Sequence, residues 1–218
     1  MAILITGATR GLGRALREHY LTQGREVLGT ARGTLPEGPG WLPLDVTDPA
    51  SFPALAEKLD CVPVDLLVCN AGIYRDKGMK LATEYPAALW AETFAVNVTG
   101  VFLAVQALLP NLQMAKAPRV AVITSAMGSS ARAPGHSYIY RASKAAATNL
   151  ARNLATDLEP IGIAVGAYHP GWVQTEMGGN GADLTPAESA AGLAARFDEL
   201  TLATTGAVLA HDGSPVAF

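Results

Sequence analysis

Tyr140 and Lys144 stand four residues apart in Tyr140-Arg141-Ala142-Ser143-Lys144, within a stretch, 138–158, whose apolar residues recur at helical spacing. On a helix that interval puts both side chains on one face. An ammonium ~5 Å from a phenol, at an effective dielectric of ~20, stabilises the phenolate by about 3 kcal/mol, or roughly two pKa units. A tyrosine lowered in this way becomes a usable proton donor or acceptor near neutrality. The pair alone is a weak signal, so the residues around it decide what it means.

A second chemical signal follows the first apolar run, in Thr6-Gly7-Ala8-Thr9-Arg10-Gly11-Leu12-Gly13. Glycine tolerates positive φ and has no Cβ, so the main-chain N–H groups of Gly7, Thr9, Arg10, Gly11, Leu12 and Gly13 can close around a pyrophosphate at the start of the next helix. A tight strand-to-helix turn without a ligand explains the same glycines, and their spacing differs from Gly-x-Gly-x-x-Gly. A dinucleotide site asks for an acidic (NAD) or basic (NADP) residue about 20 positions further on. The second strand-like run ends Thr30-Ala31-Arg32. It carries no carboxylate, and Arg32 with Arg10 suits a 2′-phosphate dianion. NADP(H) is therefore the preferred cofactor and NAD(H) a possible one; solvated surface charges are the plainer reading of the two arginines.

The elements that must position these groups are also legible. Apolar runs at 3–6, 26–30, 65–69, 120–124 and 163–168 read as strands buried on both faces, with shorter strands at 41–45 and 207–211. Helical spacing fills 12–23, 49–58, 86–114 and 138–158. Asp48-Pro49 and Thr185-Pro186-Ala187-Glu188 mark helix starts. Alternating strands and helices predict an α/β fold, a single Rossmann-type doubly wound parallel sheet of about seven strands with helices on both faces.

With 218 residues, half of them apolar, 16% charged and mean hydropathy +0.22, the chain reads as one domain over 1–218 able to bury a sizeable core. A net charge of −3 offers no basic stripe, which argues against nucleic acid as a partner. No run reads as apolar enough to cross a bilayer, so no membrane association is expected. Residues 1–6 read as a strand rather than a targeting segment, so the expected location is cytoplasmic. Cys61 and Cys69 lie in apolar surroundings and are expected to be reduced. His19, His136, His169 and His211 are too scattered to suggest a metal site.

These motifs fall in the order of the short-chain dehydrogenase/reductase family, which the chain resembles from end to end. They are the glycine loop, Asp45-Val46, Asn70-Ala71-Gly72, Asn97, Ser125, Tyr140, Lys144 and Pro170-Gly171. The stretch from Tyr140 through Pro170-Gly171-Trp172-Val173 to Met177-Gly178-Gly179 is similar to the C-factor and sniffer-like carbonyl-reductase branch. The resemblance implies a carbonyl or alcohol substrate and a hydride-transferring cofactor. Tyr140 would be the acid, Lys144 would lower its pKa and hold the nicotinamide ribose, and Ser125 would hydrogen-bond the substrate oxygen. Asn97 would order a water linking Lys144 to solvent. Asp45 would meet the adenine amino group, followed by Val46. Asn70, Ala71 and Gly72 would pass under the adenosine, and Pro170, Gly171, Val173 and Thr175 would hold the carboxamide.

Ser125 lies slightly farther from Tyr140 than is usual in the family, with Ser129 and Ser130 as weaker substitutes, and Cys69 replaces a frequent asparagine. Tyr138 either lines the substrate mouth or packs. A short, glycine-rich substrate lid is expected around 174–198, mobile and with few fixed walls, which suits a loose range of aldehydes or ketones. The family commonly pairs through the helices at 86–114 and 138–158, so a homodimer is expected. The competing reading is an NADP-bound sensor or signalling protein with vestigial catalysis, which has little use for a tuned phenol. A nucleotide-sugar epimerase needs a larger substrate domain than 218 residues leave room for.

Overall fold

The computed structural model describes residues 2–218, so Met1 lies outside the described residues. One sheet contains β1 (Ala2–Ile5), β2 (Glu26–Ala31), β3 (Trp41–Pro43), β4 (Val64–Cys69), β5 (Arg119–Ile123), β6 (Ala164–His169) and β7 (Val208–Ala210). Their order is β3-β2-β1-β4-β5-β6-β7, and every neighbouring pair is parallel. Side chains alternate across a strand, so Ile3, Ile5, Leu66, Val68, Ala121 and Ile123 join one core, and Leu4, Leu67, Val120 and Val122 join the other.

The first core is closed by α1 (Gly11–Thr22) and α6 (Pro186–Asp198), through Leu16, Tyr20, Leu193 and Phe197. The second is closed by α2 (Ser51–Lys58), α4 (Gly100–Gln113) and α5 (Tyr138–Leu158), through Leu55, Leu108, Leu112, Ala151 and Leu158. Both faces of the sheet are thereby covered, as the two-sided apolar runs require. This is the doubly wound α/β architecture, and its chain order reverses between β1 and β4. Ligands of such sheets bind beyond the carboxyl ends of the strands at that reversal.

Local starts follow the sequence unevenly. Thr185 forms a full capping box, accepting from Glu188 N at 3.2 Å while Glu188 Oε2 accepts from Thr185 N at 2.9 Å. Asp48 does not cap α2. Its carboxylate accepts from Ala50 N at 3.0 Å and its carbonyl from Ser51 N at 3.1 Å, a turn that delays the helix to Ser51. The strand expected to reach residue 45 stops at Pro43, because Asp45 is drawn into a turn with Thr47.

The helical run at 86–114 is three pieces: α3 (Ala87–Phe94), a π-helical turn (Ala95–Thr99) and α4. The expectation that no run is apolar enough to span a bilayer also needs amending. The helical stretch Ala87–Gln113 has 27 residues at mean hydropathy 1.6. Its apolarity has a local cause, since α4 packs against β4, β5 and α2 in the core.

Candidate active site

The glycine loop is pinned by the two strands beside β1. From β2, Thr30 accepts Gly7 N on its hydroxyl at 3.2 Å and Ala8 N on its carbonyl at 3.0 Å. After β4, Asn70 Nδ2 donates to the carbonyls of Thr6 at 2.9 Å and Gly7 at 3.1 Å, and the Thr6 hydroxyl accepts the N–H groups of Asn70 and Ala71 at 3.0 and 3.1 Å. Gly7 has φ +66°, and a Cβ on it would come within 3.0 Å of the Ala71 main chain. A Cβ on Gly13 would overlap Asn70 Nδ2 and the Gly7 carbonyl, both 2.4 Å away. The glycines are thus required by the close approach of Asn70 and Ala71.

α1 then starts at Gly11 with extended Arg10 at its N-cap and no side-chain acceptor there. Its first-turn N–H groups carry the partial positive charge of a helix start, with no capping side chain or first-turn acid among the described residues to answer it. Thr9, Arg10, Gly11 and Leu12 therefore present a cradle suited to a phosphate.

The two arginines do not share one partner. Arg10 is ion-paired with Glu176, and a Cβ on Gly11 would touch Thr175 Cγ2 at 3.4 Å, so this part of the segment after β6 lies against the loop. Arg32 is exposed at the end of β2. The Thr47 hydroxyl and N–H, at 2.7 and 2.9 Å, hold the Asp45 carboxyl below its ordinary range, and the Arg32 charge adds to this. Val46 packs so closely on Gly100 that a Cβ there would come within 2.8 Å of it.

The chemistry-bearing side chains meet beyond β5. Tyr140 and Lys144 share one face of α5, with Lys144 Nζ 5.8 Å from the Tyr140 ring centroid, and both are buried. Lys144 Nζ donates to the Ile123 carbonyl at 2.8 Å. Ser125 starts a 3₁₀ turn, its Oγ accepting from Met127 N at 3.1 Å, and its hydroxyl lies near enough to the Tyr140 phenol to favour its ionised form. Gly128 makes this docking possible, since a Cβ on it would lie 2.6 Å from Ala145 N and Lys144 C. The Ser-x-x-Gly form thus has a steric cause. Ser125 is the serine brought to Tyr140, whereas the buried Ser129 hydroxyl has no hydrogen-bond partner among the described residues.

The expected lowering of Tyr140 by Lys144 is reversed in this site. Burial pushes the phenol up to about 12, opposed by the Ser125 hydrogen bond and reinforced by Tyr74 and Asp76. Burial likewise pushes Lys144 down to about 8. Desolvation is the largest cause for both groups.

Asn97 lies in the π-helical turn and is 1% exposed. Its Oδ1 accepts Ile73 N at 2.8 Å, and its Nδ2 donates to the Ile73 carbonyl at 3.0 Å and the Ser143 hydroxyl at 2.9 Å. A Cβ on Gly72 would come within 3.3 Å of Asn97 Oδ1 and 3.5 Å of Lys144 Nζ. Asn97, Gly72 and Lys144 are therefore neighbours.

Beyond β6, the Pro170 carbonyl accepts from Ser189 of α6 at 2.7 Å. Gly171 has φ +82° and no room for a Cβ beside Leu184 and His211. Val173 bridges to Leu184, and Thr175 Oγ1 accepts from Gly178 N at 3.1 Å. The lid expected over 174–198 divides in two. Residues 186–198 are α6, whose Leu193 and Phe197 belong to the core. Only the shorter part, before α6, lies against the glycine loop, and it is cross-braced by Trp172 Nε1 to the Gly178 carbonyl at 3.0 Å and Gln174 Nε2 to the Ala182 carbonyl at 3.0 Å.

Two residues near Tyr140 escaped sequence reasoning. Tyr74 stacks on the Tyr140 ring at 4.2 Å, and buried Asp76 accepts from the main chain of Ile139 and Tyr140. Tyr138 packs edge-on against Tyr85 at 5.3 Å and is 37% exposed. Among the described residues no group of three or more His, Cys, Asp or Glu is placed to hold a metal ion. Cys69 is buried, its thiol pushed up to about 12, while Cys61 is exposed rather than in apolar surroundings. His169 is half-buried, and burial pushes its imidazole down to about 4.

Comparison with known proteins agrees with this geometry. The C-signal protein of Myxococcus xanthus is 38% identical over 167 residues, covering 76% of this chain and 99% of that protein. The crystal structure of NADPH-bound carbonyl reductase from chicken fatty liver superposes with a TM-score of 0.88 at 32% identity, covering 100% of this chain and 98% of the other. Carbonyl reductase Sniffer of D. melanogaster superposes with a TM-score of 0.90 at 25% identity, covering 100% and 99%. The short chain dehydrogenase profile matches residues 1–183, and with its motifs in place on a doubly wound sheet, the chain belongs to that family of oxidoreductases.

Proposed function

We propose that the protein is an NADP(H)-dependent reductase of small carbonyl compounds with Tyr140 as its general acid. The observation that carries this reading is the buried Tyr140 with Lys144 Nζ one helical turn behind it, 5.8 Å from the ring centroid, where the 3₁₀ turn begun by Ser125 docks on α5. A dinucleotide suits the crevice because the first turn of α1, which follows the glycine loop, has no side-chain acceptor at its N-cap. When bound, the reduced nicotinamide supplies a hydride to the carbonyl carbon.

The residues supply the rest. Tyr140, held protonated by its burial, gives its proton to the carbonyl oxygen, and Ser125 hydrogen-bonds that oxygen and steadies the phenolate left behind. Lys144, shifted to about 8, is poised to exchange protons near neutrality and return one to Tyr140. Asn97 holds Ile73 and Ser143 beside Lys144 and fixes the start of the proton route. Asp45, Val46, Asn70, Ala71 and Gly72 hold the adenosine half; Pro170, Gly171, Val173 and Thr175 hold the carboxamide. Arg32 and Arg10 select the 2′-phosphate, and the similar chicken enzyme has NADPH bound.

The test is oxidation of NADPH and NADH by small aldehydes, ketones and diketones, with Tyr140→Phe alongside. Expected are turnover with NADPH, and a mutant that binds NADPH without turnover. A Tyr140→Phe variant as active as the parent would remove Tyr140 as the acid. Homodimerisation through α3–α4 and α5 belongs to the same reading, supported by Phe102, which α4 leaves 42% exposed. Sedimentation should give twice the 22.6 kDa chain mass, and particles of single-chain mass at high concentration would reject it.

A further inference from the structure

α5 begins without a local cap. Its N-cap residue Ser137 has φ 51° and ψ 45°, the preceding His136 also has φ 59°, and Ser137 makes no side-chain cap. Two successive non-glycine residues in the left-handed region are a costly way to start a helix. Tyr140 is the third residue of that helix, within the turn whose N–H groups have no intrahelical acceptor. Left alone, this turn would fray, and a proton donor on it would lose its place.

The missing acceptor comes from another part of the chain. Asp76, in the loop after β4 and 1% exposed, accepts on Oδ2 from Ile139 N at 2.8 Å and Tyr140 N at 3.3 Å. These are the second and third helical residues, which an N-cap side chain ordinarily serves. The Ser137 hydroxyl is instead bonded to the Tyr74 hydroxyl at 2.6 Å. The Tyr74 ring lies on the Tyr140 ring, 4.2 Å between centroids and 23° from parallel. A three-residue segment, 74–76, therefore grips the cap residue, the main chain and the side-chain face of the helix start.

We propose that Asp76 and Tyr74 are positioning residues for Tyr140, clamping the first turn of α5 so that the phenol is held at a fixed depth and tilt against Ser125. The proposal rests on the reading of Tyr140 as the acid. The clamp also has an electrostatic side. The Asp76 carboxylate opposes ionisation of the phenol, which keeps the proton on Tyr140 for delivery. The other groups facing Tyr140 are the Ser125 hydroxyl, the Tyr74 phenol and, on its own helix, Lys144. Tyr85 also feels Asp76, and Arg141 is turned to the carbonyls of Met127, Arg132 and His136.

The experiment uses the full chain with Asp76→Ala, Asp76→Asn and Tyr74→Phe. Three measurements are made: steady-state kinetics giving kcat and KM for NADPH, ultraviolet titration of the Tyr140 phenol by difference from Tyr140→Phe, and amide exchange at Ile139 and Tyr140. Asp76→Ala should lower kcat about 30-fold or more, since sub-ångström misplacement of a reacting group is costly, with KM for NADPH within about twofold. Asp76→Asn keeps an acceptor oxygen and should recover most of kcat, but its phenol should titrate at lower pH. Tyr74→Phe keeps the stacked ring and should lower kcat only about threefold, for one lost hydrogen bond.

Unchanged kcat, titration and exchange in Asp76→Ala would overturn the proposal. So would an Asp76→Ala chain that fails to fold together with an Asp76→Asn chain that matches the parent in kcat and titration. An active Tyr140→Phe variant would instead remove the acid assignment, and phenol titration and amide exchange would still report on the clamp.

Discussion

Lys144 Nζ donates to the Ile123 carbonyl at 2.8 Å, which ties the helix bearing Tyr140 to the end of the interior strand β5. The bond holds the amine at a site where burial lowers its pKa to about 8. The unfolded chain keeps its lysine protons up to about 10.4. Between these values the unfolded state binds more protons, so this group makes stability rise with pH from about 8 and lowers it fully below that.

Lys144→Met, which fills similar space without a charge, should therefore be inactive yet more stable at pH 7, by up to about 3 kcal/mol from the size of the shift. Thermal melts of both proteins across pH should show the gap closing as pH rises through 8 to 10. A mutant less stable than the parent at every pH would show that the Ile123 bond outweighs the desolvation cost.

Asn97 and Asn111 provide a matched pair. Asn111 is buried near the C-terminal end of α4 and donates to the carbonyls of Leu59 and Val62 at 2.7 and 2.9 Å, neither of them a site residue. Either asparagine changed to alanine should cost about 2–4 kcal/mol in chemical unfolding, because buried main-chain groups lose their partners. Asn97→Ala should also lower kcat at least ~10-fold, since Ile73 and Ser143 lose their bridge beside Lys144. Asn111→Ala should leave kcat near that of the parent. Equal kcat losses in the two would assign Asn97 a structural role alone.

The elements were legible where burial imposed a pattern. Runs such as 120–124 and 163–168 are apolar on both faces because the sheet is covered on both faces, and α5 was bounded at Tyr138–Leu158 by its spacing. The π-helical turn around Asn97 was not legible, because one extra residue in a turn barely disturbs a 3.6-residue repeat. Asp48 misled because its carboxylate had a nearer donor in Ala50. Tyr74 and Asp76 lie in a loop with no periodicity; the available signal was a long helix beginning after Gly135-His136-Ser137 whose nearest acid lay elsewhere in the chain. The sign of the Tyr140 shift depended on burial, which pair spacing does not reveal.

Gly128 tests how Ser125 reaches Tyr140. Its φ is not in the left-handed region, so the effect of Gly128→Ala comes from contact with the Lys144–Ala145 main chain. The 3₁₀ turn must retreat from α5, which should cost about 1–3 kcal/mol as overpacking. It should also lower kcat by roughly 10-fold or more as the Ser125 hydroxyl leaves the phenol. Steady-state kinetics should show this with KM for NADPH little changed. Ser125→Ala in the same background should then add almost nothing, because the two changes remove one interaction.

Arg10 and Glu176 set the last expectation. Both side chains are more than 70% exposed, so their pairing is worth at most about 1 kcal/mol and is screened by salt. If Arg10 serves the 2′-phosphate, Glu176 competes with that phosphate for the guanidinium. Glu176→Gln should then tighten NADPH by up to about fivefold at low salt and leave NADH unchanged. Arg10→Ala should weaken NADPH about 10-fold, and Arg32→Asp more, moving the preference toward NADH because a carboxylate at the end of β2 repels the phosphate and can accept from a ribose hydroxyl. Fluorescence titrations of both dinucleotides against salt separate these outcomes. Equal effects on NADPH and NADH would place the Arg10–Glu176 contact on the shared pyrophosphate half instead, where a Cβ on Gly11 would touch Thr175.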